Sequence, residues 1–357
     1  MITINKLYKN PHFNNKLRKS LFALSLAAVL TGCSLNEPLS SSNTMQTTTL
    51  FAMDTVMELQ AFGNEEVLTQ AESIIRDIEK RVSVTDANSE ISKLNAEGSA
   101  SLSDDIANLL SEALSVCEKT NGALDISIYP VLKAWGFTTS EYHIPSEKQL
   151  SDLLKNVDYK AISLEGNTAS IKDGMQIDLG SVTKGYTSTK VADLFREKGV
   201  TSGLINLGGN VECIGAKPNG EKWKVAIKSP YNDSKTGVFA VIDAEDVAVI
   251  TSGGYERFFE ENGELYWHIL DPENGYPAKN GLISVTIIGK DGLMCDGLST
   301  ALFVKGLDEA IDYWKKNQGF DAVFITENGD VYITEGISDV FRLSSEYHDH
   351  NITIVNR

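Results

Sequence analysis

The sequence predicts an α+β fold: a single large domain over residues 47–357, with mixed or antiparallel sheets and helices packed against them. Three observations predict it. Helical periodicity accounts for much of residues 64–199. From residue 201 the pattern turns to strands, returning to helix over 299–317. Helices and strands are thus segregated more than alternated, unlike a doubly wound sheet.

The elements follow in order. Residues 47–63, "TTTLFAMDTVMELQAFG", read as a strand ending at Gly63. Residues 64–84 place Val67, Leu68, Ala71, Ile74, Ile75 and Ile78 on one helical face. Residues 101–122 predict a second amphipathic helix, with Ser103 as N-cap and Gly122 after the last turn. Residues 123–137 read as a buried, aromatic-rich strand or turn, and "SEKQLSDLLKNV" as a short helix. A hairpin is expected over 159–177 and a helix over 180–199. Strands follow in "GLINLGGNVECIGA", "WKVAIKSP", "VFAVIDAEDVAVITSGGYERFF", "LYWHIL" and "LISVTIIG". After the helix, "DAVFITENGDVYITEGI" predicts a hairpin turning at "ENGD".

The N-terminus is read separately. Lys16, Arg18 and Lys19 precede the apolar run "LFALSLAAVL", too short to span a bilayer. Residues 1–32 therefore read as a signal peptide. The run ends at "LTGC", which is similar to a bacterial lipobox with Cys33 as the lipidated residue. The alternative is an ordinary signal peptide with an incidental cysteine. Residues 33–46 are polar and Ser/Thr-rich, suited to a tether. A lipid-anchored protein on the extracytoplasmic face of the cell membrane is the expectation.

The chain carries a net charge of −17; residues 1–32 hold five Lys/Arg and no acid, so the remainder stands at −22. That balance argues against nucleic-acid binding, and against polyanionic partners unless a metal or local dipole screens them. Beyond Cys33, only Cys117, Cys213 and Cys295 remain. None are in CxxC spacing, and an odd number cannot all pair, so they read as small buried residues.

Polar islands interrupt the apolar pattern. "IDLGSVTKGYTSTK" is a glycine-containing turn entering a helix, where backbone N–H groups favour phosphates, with Lys184 as countercharge. It matches neither a Walker loop nor GxGxxG, and an ordinary helix start fits equally. "INLGGNVE" and "VITSGGYERFF" suggest close backbone approach or bulges. His268 stands in a strand opposite Trp267, either structural or moving protons. In "LMCDGLSTALFV", Asp296 and Thr300 share one helix face. They fit either a cap at Asp296, with Ser299 at capping-box distance, or two oxygen ligands for Mg²⁺.

Taken in order, "MDT", "SEISKLN", "DISIYPVLKAWGF", "IDLGSVTKGY", "NLGGN", "TSGGYERFF", "HILDPENGYP" and "CDGLSTA" resemble the ApbE family of FAD:protein FMN transferases, over about residues 47–357. The resemblance implies an ApbE-like fold. It implies a Mg²⁺-dependent enzyme that cleaves FAD, releases AMP and attaches FMN through a phosphoester to a Thr or Ser hydroxyl of an exported acceptor protein. Carried over by motif, Asp296 and Thr300 fall on metal ligands, and the Thr187 carbonyl stands where the family usually has Ala. Ser299 holds a place that is acidic in some members. FAD contacts fall on Met53, Leu124, Asp125, Ile126, Lys184, Lys190 and Leu270. His268 is the candidate general base. The chain departs from the family pattern at Thr85, Tyr129 and Asn274. The rivals are a Mg²⁺-dependent FAD pyrophosphatase yielding FMN and AMP, a non-catalytic flavin-binding or substrate-binding lipoprotein, and a structural surface lipoprotein.

Overall fold

The computed structural model describes residues 44–63, 65–232 and 234–357. The expected signal peptide and Cys33 lie outside the described residues. Residues 41–357 form one compact unit. Its first strand starts at Met45, two residues before the expected domain boundary.

The segment expected as one strand is a hairpin, β1 (Met45–Ala52) and β2 (Thr55–Phe62). Met53 and Asp54 form its two-residue turn, both at positive φ (48° and 59°), the backbone of a type I′ turn. An Asp without a following glycine hides that turn from a sequence reading. Helix α1 (Glu66–Val82) follows as expected, and α2 (Glu90–Glu97) is capped by Ser89. After β3 (Ser99–Ser101), α3 (Asp104–Lys119) starts at Ser103. The Ser103 hydroxyl makes no cap bond; it donates to Glu90 Oε2 and accepts from Arg81. The expected strand or turn at 123–137 is instead a short 3₁₀ turn and α4 (Tyr129–Ala134), with Pro130 in the first turn. α5 (Glu147–Leu154) carries a full capping box from Ser146 and Gln149. The expected hairpin is β4 (Ser163–Glu165) and β5 (Thr168–Ser170), completed by β3.

Next come α6 (Gly180–Glu197), β6 (Gly203–Leu207), β7 (Asn210–Ile214), β8 (Trp223–Lys228), β9 (Val238–Ala244) and β10 (Ala248–Gly253). β11 (Phe258–Glu261) and β12 (Glu264–Trp267) form a separate two-stranded hairpin. β13 (Leu282–Gly289) leads to α7 (Gly292–Lys305) and α8 (Leu307–Lys316). The one helix expected there is broken at Gly306, where φ is 77°. β14 (Phe320–Thr326) and β15 (Val331–Thr334) form the expected hairpin, and β16 (Phe341–Leu343) and β17 (Ile352–Val355) close the chain.

Nine strands make the main sheet, in the order β1-β2-β6-β7-β10-β13-β14-β15-β17. All its pairings are antiparallel except β15 with β17. Both faces are covered over the central strands, which explains their unbroken apolar runs. Ile250, Ile287 and Phe324 pack with α7 and α8 on one face. Val249, Ile288 and Val323 pack against the small sheet β16-β9-β8 on the other. All three cysteines expected as buried and free are so.

α7 is buried nearly all round, and the cap lies earlier than one reading had it. Asp291 is the N-cap, accepting from Met294 N–H. Asp296 is therefore inside the helix, and the cap explanation for it fails. α7 runs against α6 with backbone in contact. A Cβ on Gly185 would meet Gly292 O at 2.2 Å, and one on Gly292 would meet Gly185 O at 2.6 Å. Only glycines permit this approach.

A buried acid lies behind the contact. Glu212 on β7 is 1% exposed, and burial pushes its pKa up to about 7. Ser188 Oγ lies 2.9 Å from both Glu212 Oε2 and Gly185 O. A hydroxyl has one proton, so both contacts become hydrogen bonds when Glu212 is neutral and donates to Ser188.

Two outcomes follow from this packing. Gly185→Ala should destabilise the domain by about 1–3 kcal/mol or more in equilibrium denaturation, because its neighbours are backbone atoms that cannot rotate away. Glu212 binds its proton more tightly folded than unfolded. Its stabilisation is full below the unfolded pKa, near 4.5, and is lost as pH rises through about 7. Between pH 5 and pH 8 the wild type should lose on the order of 2–3 kcal/mol more stability than Glu212→Gln, which keeps a donor for Ser188. Equal pH slopes in urea titrations would mean the carboxylate is ionised in the fold.

Candidate functional site

The α6–α7 contact seats one carboxylate. Asp296, 6% exposed, accepts through Oδ2 from Gly185 N–H at 2.8 Å. Burial raises its pKa, and the Lys184 charge and the Gly185 N–H pull it back. The Asn210 side chain stands beside the carboxylate and adds the weakest pull, although its buried amide nitrogen falls outside hydrogen-bond geometry. An unpartnered donor beside a buried carboxylate suits an incoming oxygen-rich group.

One turn along α7, Thr300 Oγ1 lies 3.1 Å from Ser252 Oγ on β10. Ser299 is fully buried, donating to Asp296 O at 2.8 Å and lying 2.7 Å from the same Ser252 hydroxyl. Thr187, buried in α6, spends its hydroxyl on Thr183 O at 2.7 Å. Its carbonyl is the oxygen left to offer. Among the described residues no group of three His, Cys, Asp or Glu side chains could hold a metal. Any ion here would rest on Asp296, a hydroxyl and a carbonyl, an all-oxygen set that suits a hard cation completed by water and phosphate.

His268 comes from the separate hairpin, immediately after β12. Its Nδ1 lies 3.2 Å from Arg257 O, and its backbone N–H donates to the same carbonyl. A carbonyl only accepts, so Nδ1 carries the hydrogen and Nε2 keeps its lone pair. Surface area makes the ring half-buried, yet protein crowds it on its other sides. Burial, the Arg257 charge and the Lys184 charge push its pKa down to about 3. The imidazole is neutral and available as a base. An aromatic cluster fixes the hairpin: Trp135, Phe259, Tyr266 and Tyr276 have rings 5.2–6.3 Å apart. Trp135 Nε1 donates to Gly275 O at 2.8 Å.

The structure thus brings Asp296 and Lys184 together at the α6–α7 contact, and Lys184 acts electrostatically on both Asp296 and His268. Leu124 approaches the same helix, 3.4 Å from where a Gly297 Cβ would stand. The Asp125 carboxylate is already used by Ser127 N–H, Ser127 Oγ and Tyr159 N–H, while Leu124 N–H donates to Thr120 Oγ1 and Asp125 O accepts from Ile128 N–H. Ile126 O is bonded to Asp178 N–H, tying that loop to the entry of α6. Met53 donates its N–H to Glu79, and Leu270 bridges to Pro277. Lys190 points elsewhere: it pairs with Asp105 at 3.0 Å and lies over the Tyr186 ring. Sequence reasoning missed Gly185, Ser252 and Arg257, although each lies in a polar island it singled out. It also missed Glu212, whose signal was an acid in the apolar strand "NVECI".

Residues 53–324 match the model of the ApbE family. Residues 18–34 match that of the prokaryotic membrane lipoprotein lipid attachment site. The chain is 30% identical to the FAD:protein FMN transferase of Haemophilus influenzae, over 79% of this chain and 84% of that protein. Its fold is similar to the crystal structure of the ApbE protein of Thermotoga maritima, with a TM-score of 0.76 and 29% identity, covering 82% of this chain and 98% of that one. It is also similar to the apo form of the Pseudomonas stutzeri flavinyl transferase ApbE, with a TM-score of 0.73 and 26% identity, over 85% and 96% of the two chains. With three quarters of its length matched by the family model and the same architecture in solved members, the chain belongs to the ApbE family.

Proposed function

We propose that the chain is a Mg²⁺-dependent FAD:protein FMN transferase, anchored through lipid on Cys33 to the extracytoplasmic face of the cell membrane. The observation that carries this reading is the junction of α6 and α7, where a buried Asp296 meets Lys184 and the Gly185 N–H while a neutral His268 feels the same lysine. The names of the relatives and the lipid attachment match support it.

Asp296, Thr300 and the Thr187 carbonyl would hold Mg²⁺, which when bound supplies positive charge for the diphosphate oxygens. The backbone of 124–126, Met53, Lys184 and Leu270 are the proposed FAD contacts, with Lys190 joining only by leaving Asp105. His268 Nε2 takes the proton of the acceptor's Thr or Ser hydroxyl. The hydroxyl oxygen bonds to the FMN phosphorus as that phosphorus releases the AMP oxygen. Water in place of the acceptor would give FMN and AMP.

The test follows flavin fluorescence on an acceptor protein, together with AMP release. Asp296→Ala and EDTA should each abolish both signals. His268→Ala should slow transfer by roughly 10²–10⁴-fold. AMP without labelled acceptor would favour the pyrophosphatase, and flavin bound without either product would favour a binding protein. The low pKa of His268 adds a pH expectation: kcat/KM should stay flat on the acid side down to about pH 4. An acid limb near 6.5 would mean that the free imidazole is not perturbed.

A further inference from the structure

We propose that Arg257 is a second catalytic residue, one that binds the FAD phosphate under attack from the side of His268. This rests on the transferase reading. Three observations carry it. First, the register of the β11–β12 hairpin pairs Phe258 with Trp267, so Arg257 stands opposite His268 at the hairpin's open end. The His268 N–H donates to Arg257 O at 3.1 Å, and the Arg257 charge acts on the imidazole.

Second, Arg257 is exposed and uncommitted. Among the described residues, the other five arginines are all engaged. Arg76, Arg81, Arg196 and Arg342 have carboxylate partners, and Arg357 donates to the carbonyls of Trp314 and Asn317. Arg257 has neither an ion pair nor a side-chain hydrogen bond, in a chain with a net charge of −17. The charge of Asp178, at the entry of α6, answers it at longer range.

Third, the chemistry leaves a place for it. Lys184 and Asp296 sit on the helical side of the site. A hydroxyl whose proton goes to His268 must attack phosphorus from the hairpin side. The phosphoryl oxygens there gain negative charge as the P–O bond to AMP breaks, and a guanidinium beside the base matches them in a bidentate fork.

The experiment compares wild type, Arg257→Gln and Arg257→Lys with FAD, Mg²⁺ and acceptor, and reads kcat, both KM values and the pH profile. Arg257→Gln should lower kcat roughly 100-fold, with KM for FAD moved less than about threefold. Arg257→Lys should recover part of the rate, and added guanidinium should partly rescue Arg257→Gln. The acid limb of kcat/KM should move to higher pH in Arg257→Gln, because one of the two cations holding His268 neutral is gone. Melting temperatures of both variants should stay close to wild type, since the side chain makes no ion pair or hydrogen bond. Unchanged kcat would overturn the proposal. So would a loss confined to KM for the acceptor, which would make Arg257 a docking residue. Absence of both transfer and AMP release in wild type would take down the transferase reading and this inference with it.

Discussion

The site depends on the close crossing of α6 and α7. Two glycines, Gly185 and Gly292, let the helix backbones touch. That approach brings the Gly185 N–H within 2.8 Å of the Asp296 carboxylate. It is the bond that keeps a carboxylate ordered in a place where burial disfavours its charge. Ser188 and Glu212 brace the same residue from its carbonyl side. One glycine is thus held through both its backbone groups, so displacement of α6 would be felt at Asp296.

The base is held by a different device. His268 belongs to a hairpin outside the main sheet, fixed by aromatic packing and by Trp135 donating to Gly275. Asp296 and Lys184 on one side and His268 on the other therefore sit on separate supports. In an acidic chain, Lys184, Arg257 and the unpartnered Asn210 amide bring positive charge and a free donor to this site.

Element type was mostly legible because periodicity reports burial, and both faces of the main sheet are buried. The failures share a cause: a local turn overriding a continuous pattern. The Met53–Asp54 turn, the Gly306 break and the short helices around Pro130 each divide a segment whose apolar residues read straight through. Asp296 and Thr300 were legible as a pair from spacing, but the choice between cap and ligand was not. It required seeing that Asp291 already fills the cap. Glu212 and Gly185 were invisible as a pair because they lie on β7 and α6 and meet only through Ser188.

The low pKa of His268 stands against its proposed role as a base, since a weak base accepts a proton poorly. The causes of the depression bear on this. Beyond burial, they are Arg257 and Lys184, the same cations placed to meet phosphate. A bound diphosphate brings negative charge that offsets both. In the proposed complex that charge raises the imidazole's pKa only by what Mg²⁺ leaves uncompensated, while burial, the largest cause of the depression, remains. Without substrate it stays neutral, with Nε2 unprotonated. On the proposed reading, the imidazole is thus held neutral in the free protein, and bound diphosphate shifts its basicity in the direction proton acceptance needs.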